Sequence, residues 1–192
     1  WVVGSLYLAD PNNLPRRLEY RSVRIIPISE WNRLSAPEQE RGNWLVITGR
    51  NRKDFVLNDY KTAATYGTFK NRVGKKLNKI LNIWLKYHRG TYLLSDDELT
   101  QNYMKTLIQE CFVSTGKLVS VNCLRHAVVS ALYPADAVER RRNAHLMGHS
   151  VDQQLDYVLK NDKVLTSRYF IPFHHNDARS SRLPQAYHLQ DR

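Results

Sequence analysis

Apolar residues recur along the chain with two periods, and together these predict the elements. Residues 1–9 carry Val2, Val3, Leu6 and Tyr7 at helical spacing, then stop at the turn signal Asp10-Pro11-Asn12-Asn13. Residues 21–42 show only a short apolar run at 23–28 and no clear period. Three β-prone runs follow, at 44–48, 54–58 and 68–73, the first two separated by Gly49-Arg50-Asn51-Arg52-Lys53, a hairpin signal. The period then lengthens. Residues 75–88 form an amphipathic helix with Leu77, Ile80, Leu81, Trp84 and Leu85 on one face and lysines on the other.

Ser95-Asp96-Asp97-Glu98 has the form of a capping box opening a helix to about Phe112, with Leu99, Tyr103, Leu107 and Cys111 facing inward. Ser120 is placed to cap a helix that buries Leu124, Val128, Ala131 and Leu132 and ends at Pro134. A further helix over 135–147 bears Glu139-Arg140-Arg141-Arg142 and is terminated by Gly148. Ser150, with Gln153 three positions on, caps the last helix. From Asp162 the pattern dissolves into an apolar cluster, Val164, Leu165, Tyr169, Phe170, Ile171 and Phe173, and a polar tail. The expected class is α+β, mainly helical, with a small three-stranded antiparallel sheet.

Charge narrows the partners. The 192 residues include 29 Lys and Arg against 18 Asp and Glu, a net +11, which fits a polyanion, nucleic acid before anionic membrane. No apolar run approaches the roughly 20 residues of a membrane span, so no membrane partner is expected. The cysteines, Cys111 and Cys123, have no metal-ligand or C-x-x-C spacing and read as buried thiols in a reducing compartment. The chain begins at Trp1, already inside a predicted helix, and reads as an excised catalytic domain lacking its N-terminal part and a separate DNA-binding domain.

Within residues 120–160 the chemistry concentrates. Arg125 offers a fixed charge and a planar fork of donors suited to phosphate oxygens. His149 can donate to the same phosphate, and Tyr157 can supply a phenolate nucleophile. His145 and His149 are four apart, a spacing that suits a metal on an unbroken helix; Gly148 interrupts it and no third ligand is near, so no metal is expected. Taken singly, each of these residues also has an ordinary structural reading, as a packing tyrosine, a capping histidine or a salt-bridge arginine.

Leu124-Arg125-His126, then Met147-Gly148-His149-Ser150, then Tyr157 resemble the second catalytic box of the tyrosine recombinases and phage-type integrases. Arg125 and His149 are 24 positions apart, close to that family's interval, and Tyr157 follows His149 by eight where many members have nine. Upstream, Leu14-Pro15-Arg16-Arg17-Leu18-Glu19-Tyr20 is similar to a run in integrase-like proteins of large DNA viruses, virophages and eukaryotic mobile elements. Arg17 matches the first catalytic arginine best, with Arg16 the near miss. Lys61, in Asn58-Asp59-Tyr60-Lys61-Thr62 between two predicted strands, matches the catalytic lysine. The departure is Asn122, which stands where the family has the histidine of H-x-x-R; an amide hydrogen-bonds a phosphate but relays no proton.

The resemblance implies a recombinase catalytic domain over residues 1–161 that cleaves and rejoins DNA through a 3′-phosphotyrosyl intermediate. Arg17 and Arg125 would neutralise the phosphorane, with His149 donating to a phosphate oxygen and Asn122 hydrogen-bonding a phosphate oxygen or the nucleophile. Tyr157 would attack and Lys61 would protonate the leaving 5′ oxygen, with no cofactor and no metal. It further implies a double-stranded DNA partner, a homotetramer on that DNA, a tail over 162–192 exchanged between protomers, and an intracellular setting with DNA. A type IB topoisomerase, a catalytically silent basic DNA-binding domain and, last, an unrelated basic interaction protein are the alternatives.

Overall fold

The computed structural model describes residues 1–132 and 136–157. Elements follow in the order α1 (Val2–Leu8), a 3-10 turn (Glu19–Ser22), β1 (Val23–Pro27), α2 (Ile28–Trp31), α3 (Ala36–Gln39), β2 (Asn43–Gly49), β3 (Arg52–Leu57), α4 (Ala63–Tyr66), β4 (Phe69–Arg72) and α5 (Lys75–Tyr87). The second half is helical: α6 (Gln101–Glu110), a 3-10 turn (Val113–Thr115), α7 (Val121–Leu132), α8 (Ala137–Met147) and α9 (Val151–Tyr157). The class is α+β, as expected, with one mixed sheet.

That sheet corrects the expectation of three antiparallel strands. It has four, in the order β1-β2-β3-β4, with β1 parallel to β2 and the other two pairs antiparallel. The fourth strand is the five-residue run Val23–Pro27, whose burial does not alternate cleanly, so its sequence carries no period-2 signal. Pairing makes it a strand. The run Trp44, Leu45 and Val46 is buried throughout, as a central strand covered on both faces must be, and β1 occupies the edge that β3 leaves open. The far edge of β1 is closed in turn by residues 91–93, through Ile25 N–H to Thr91 O at 2.9 Å and Leu93 N–H to Val23 O at 2.7 Å.

One sheet face, with Val23, Leu45, Phe55 and Leu57, packs into the main core with Leu6 and Tyr7 of α1, Leu77 and Leu81 of α5, and Met104 and Ile108 of α6. The other carries Ile26, Trp44, Val46 and Val56 beneath Ile28, Trp31 and Leu34. Lys53 on β3 is buried and donates to Asn78 Oδ1 (2.9 Å) and Asn82 Oδ1 (2.5 Å) on α5, so carbonyl oxygens in place of a carboxylate take up its three protons together with Arg50 O. Burial lowers its pKa.

Four helical details also differ. The N-cap of α6 is Thr100, whose side chain accepts from Tyr103 N–H, and not Ser95. Ser95 donates to Asp97 O and Glu98 pairs with Arg21, so the apparent capping box is spent on a turn and an ion pair. On α6 the buried residues are Met104 and Ile108; Tyr103 is 54% exposed, Leu107 is partly buried, and Leu99 precedes the helix. Both 103/107 and 104/108 have the i, i+4 spacing, and it is Met104 and Ile108 that enter the core shared with α1. Cys111 and Cys123 are exposed, which corrects their reading as buried thiols. On α7 Val121, Leu124 and Val129 are buried, Val128 is partly so and Ala131 is exposed; the side chain of Leu132 lies outside the description. No helix among the described residues is long and apolar enough to cross a membrane.

Candidate functional site

The turn between α8 and α9 is where distant segments meet. Gly148 ends α8 in the left-handed region at φ 66°, and Ser150 Oγ accepts from Gln153 N–H to open α9. Glycine is needed at 148 for a second reason. A Cβ there would lie 3.0–3.1 Å from the Arg16 guanidinium, so any side chain would displace that arginine.

Arg125, on the second turn of α7, is fully buried and reaches this corner. Its Nη1 donates to Pro15 O at 2.8 Å and Met147 O at 2.9 Å, and its Nη2 lies 3.1 Å from His149 Nδ1. One guanidinium therefore ties the loop before Arg16 and Arg17 to the end of α8 and to the histidine. Guanidinium has only donors, so Nδ1 must be the accepting nitrogen and the neutral ring carries its proton on Nε2. His149 is thereby set as a hydrogen-bond donor and not as a base.

His149 is 1% exposed, and its pKa is pushed down to about 3, first by burial and then by Arg125, Arg17 and Arg16. The consequence for stability has a definite sign. In the unfolded chain the ring takes a proton near its ordinary value of about 6.5, whereas the folded chain refuses it until about pH 3, so this stabilising contribution is complete above 6.5 and is lost as pH falls. Up to about 1.4 kcal/mol per pH unit is at stake, or about 2 kcal/mol between pH 6.5 and 5. His149→Asn keeps an acceptor for Arg125 without titrating. Denaturant unfolding at pH 7 and pH 5 should show a smaller acid loss in this variant than in the wild type; equal losses would show that His149 is not the linked group.

Arg16 and Arg17 approach the same turn in different ways. Arg17 is partly exposed and donates through Nη1 to Gly148 O at 3.3 Å, while its own carbonyl accepts from Tyr7 Oη at 2.7 Å. Arg16 is 2% exposed, donates to Leu146 O at 3.2 Å and lies 4.2 Å above the Phe69 ring and 4.7 Å above the Tyr60 ring. Its Nε and Nη2 are buried without a hydrogen-bond partner among the described residues, and it lines a cavity with room for about one water. Burial lowers the Arg16 pKa from its ordinary value, against which Glu19 acts.

The connection from β3 to β4 forms the remaining wall. Asn43 Oδ1 accepts from the backbone N–H of Asn58 and Asp59, each at 3.0 Å, and Tyr60 Oη donates to Gly67 O at 2.6 Å. Thr62 Oγ1 donates to Gly148 O at 3.0 Å, sharing that acceptor with Arg17. Lys61 sits exposed between these pinned neighbours, at the rim of the corner.

Of the expected residues, then, Arg17, Arg125 and His149 are brought together, and Lys61 is adjacent through Thr62. Asn122 is exposed one turn before Arg125 on α7, and no described contact ties it to the cluster. Tyr157 is the last residue of α9, about two turns beyond the corner; its side chain lies outside the description. Residues 158–192, including the rival Tyr169 and the expected exchanged tail, lie outside it as well. His145 is set against the rings of Tyr66 and Phe69.

Sequence reasoning missed Thr62 and the Pro15 and Met147 carbonyls. A lone threonine in a turn carries no signal, and backbone acceptors carry none at all. The cluster as built is a concentration of positive charge with a neutral donor at its centre, which suits a phosphodiester anion. No family model, no curated protein and no solved structure matches the chain.

Proposed function

We propose that this chain is the catalytic domain of a DNA breaking and rejoining enzyme of the tyrosine recombinase type, acting through a 3′-phosphotyrosyl intermediate on double-stranded DNA. The observation that carries the reading is the link from Arg125 Nη2 to His149 Nδ1, with Arg17 meeting the same turn at Gly148 O. A buried arginine that holds a neutral histidine, with a second, partly exposed arginine alongside, supplies the positive charge that a pentacoordinate phosphorane requires. Arg17, partly exposed, contacts the phosphate. Arg125, with Nη1 engaged by two carbonyls, contributes through its charge and through the orientation of His149.

Tyr157 is the nucleophile in this reading, and Lys61 the acid that protonates the leaving 5′ oxygen. Asn122 donates a hydrogen bond and moves no proton. Bond energy is retained in the phosphotyrosine, so rejoining needs no nucleotide. Assembly as a tetramer on two duplexes belongs to the same proposal.

The deciding experiment is incubation with nicked suicide DNA duplexes, followed by a denaturing gel. A covalent protein–DNA adduct supports the proposal. Duplex binding without an adduct would indicate a silent DNA-binding domain, and relaxation of supercoils without synapsis would indicate topoisomerase chemistry.

Lys61→Ala should slow adduct formation by roughly two to four powers of ten, the scale of acid catalysis. A substrate with sulfur at the bridging 5′ position has a leaving group that hardly needs a proton, and should restore the rate. A variant that stays slow on the sulfur substrate would leave Lys61 with a DNA-positioning role only.

A further inference from the structure

We infer that the open groove between β4, the start of α5 and α8 holds the phosphodiester backbone of the DNA duplex that flanks the reacting phosphate, an inference that rests on the function proposed above. The groove has a volume of about 540 Å3 and is lined by Arg72, Lys75, Lys76 and Arg142 above a floor of residues 10–12. All four cationic side chains are exposed, and they come from three separate elements.

The floor is rigid. Asn12 O accepts from Asn71 Nδ2 at 2.9 Å, Asn12 Oδ1 accepts from Arg142 Nη2 at 3.3 Å, and Asn13 Oδ1 accepts from Gly74 N–H at 2.8 Å. Asp10, the acid in the groove, is buried, and its carboxylate accepts from Lys76 N–H at 2.9 Å and Leu77 N–H at 3.4 Å. Asp10 thereby caps the positive end of α5, and four cationic side chains against this one carboxylate leave the groove positive.

Two lysines in the first turn of α5, which contains no acidic residue, run against what folding prefers at that end of a helix. Local rules broken in this way are expected at functional surfaces. The class of ligand follows from the geometry. With its N–H groups taken by Asp10, the groove has no enclosed cradle for a single small anion. Exposed cations spread along an open channel match a row of phosphates instead. Arg72 pairs with Asp54 at 3.2 Å, and Lys75, Lys76 and Arg142 carry the other three cationic charges along the groove.

The groove is also joined to the site along the backbone. Its floor leads through Asn13 and Leu14 into Pro15, Arg16 and Arg17, and Arg142 lies on the helix that ends at Gly148. A duplex with its reacting phosphate at Arg17 would therefore extend along Asn12 and Arg142.

The test compares the full chain with a triple variant, Lys75→Ala, Lys76→Ala and Arg142→Ala, and with a control, Lys86→Ala, Arg89→Ala and Lys105→Ala, that removes as many charges elsewhere. Binding to a duplex of about 30 base pairs is followed by fluorescence anisotropy at several salt concentrations. The groove variant should bind at least about tenfold more weakly at low salt, and its plot of log K against log salt should be shallower by about 2 to 3, at about 0.9 for each phosphate no longer neutralised. The control should change the slope less. Equal slopes for the two variants, or no change in the groove variant, would overturn the groove while leaving duplex binding by the wild type intact. A wild type that binds no duplex would overturn the proposed function and the groove together.

Discussion

Tyr157→Phe is expected to abolish the covalent DNA adduct while leaving duplex affinity within a few fold. The phenolic oxygen is the only atom that changes, and without it no phosphotyrosyl bond can form. Affinity is carried by many phosphate contacts, to which one hydroxyl adds little. The assignment rests on the eight-residue interval from His149 and on the placement of Tyr157 at the end of α9, which opens directly from the corner that holds His149. The loss of signal should be complete on a denaturing gel. Persistence of the adduct in Tyr157→Phe, with its disappearance in Tyr169→Phe, would transfer the role to Tyr169.

Arg125→Ala should have the largest effect on the fold. The side chain is fully buried and bonded to Pro15 O, Met147 O and His149 Nδ1, so truncation strands two buried carbonyls and a histidine nitrogen and opens a cavity where α7, the loop at residue 15 and the end of α8 meet. Each buried acceptor left without its donor costs about 1–3 kcal/mol, so a loss of several kcal/mol is expected. That is a large part of the roughly 5–15 kcal/mol by which domains are stable. Denaturant unfolding should show a lower midpoint at an unchanged slope. Arg125→Lys cannot reproduce the arrangement, since one ammonium on a flexible stem cannot keep the fixed angles of the guanidinium fork to all three acceptors. A variant within about 1 kcal/mol of wild type would mean that Arg125 does not organise this corner.

The helices were largely legible because their signals are local. The stripe through Leu77 and Leu81, Gly148 as a left-handed terminator, and Ser150 as a cap each depend on residues within one or two turns, and each is present. The misreadings arose where local signals compete with distant partners. Ser95 to Glu98 has the residues of a capping box, but Arg21 lies 77 positions from Glu98 in sequence and takes its carboxylate. Val23–Pro27 has no strand period, yet it is a strand because β2 offers an unpaired edge.

By itself the sequence determined the charge, the helical period of the second half, and the order of the candidate residues Arg17, Lys61, Asn122, Arg125, His149 and Tyr157. The tertiary structure alone decided their company. It buried Arg125 and Arg16, left Asn122 and Lys61 exposed, and fixed the His149 proton on Nε2 through a hydrogen bond across 24 positions of chain. The physical reason is that burial and hydrogen-bond partners depend on segments far apart in sequence, here residue 15, α7 and the α8–α9 turn, which only the folded core brings together.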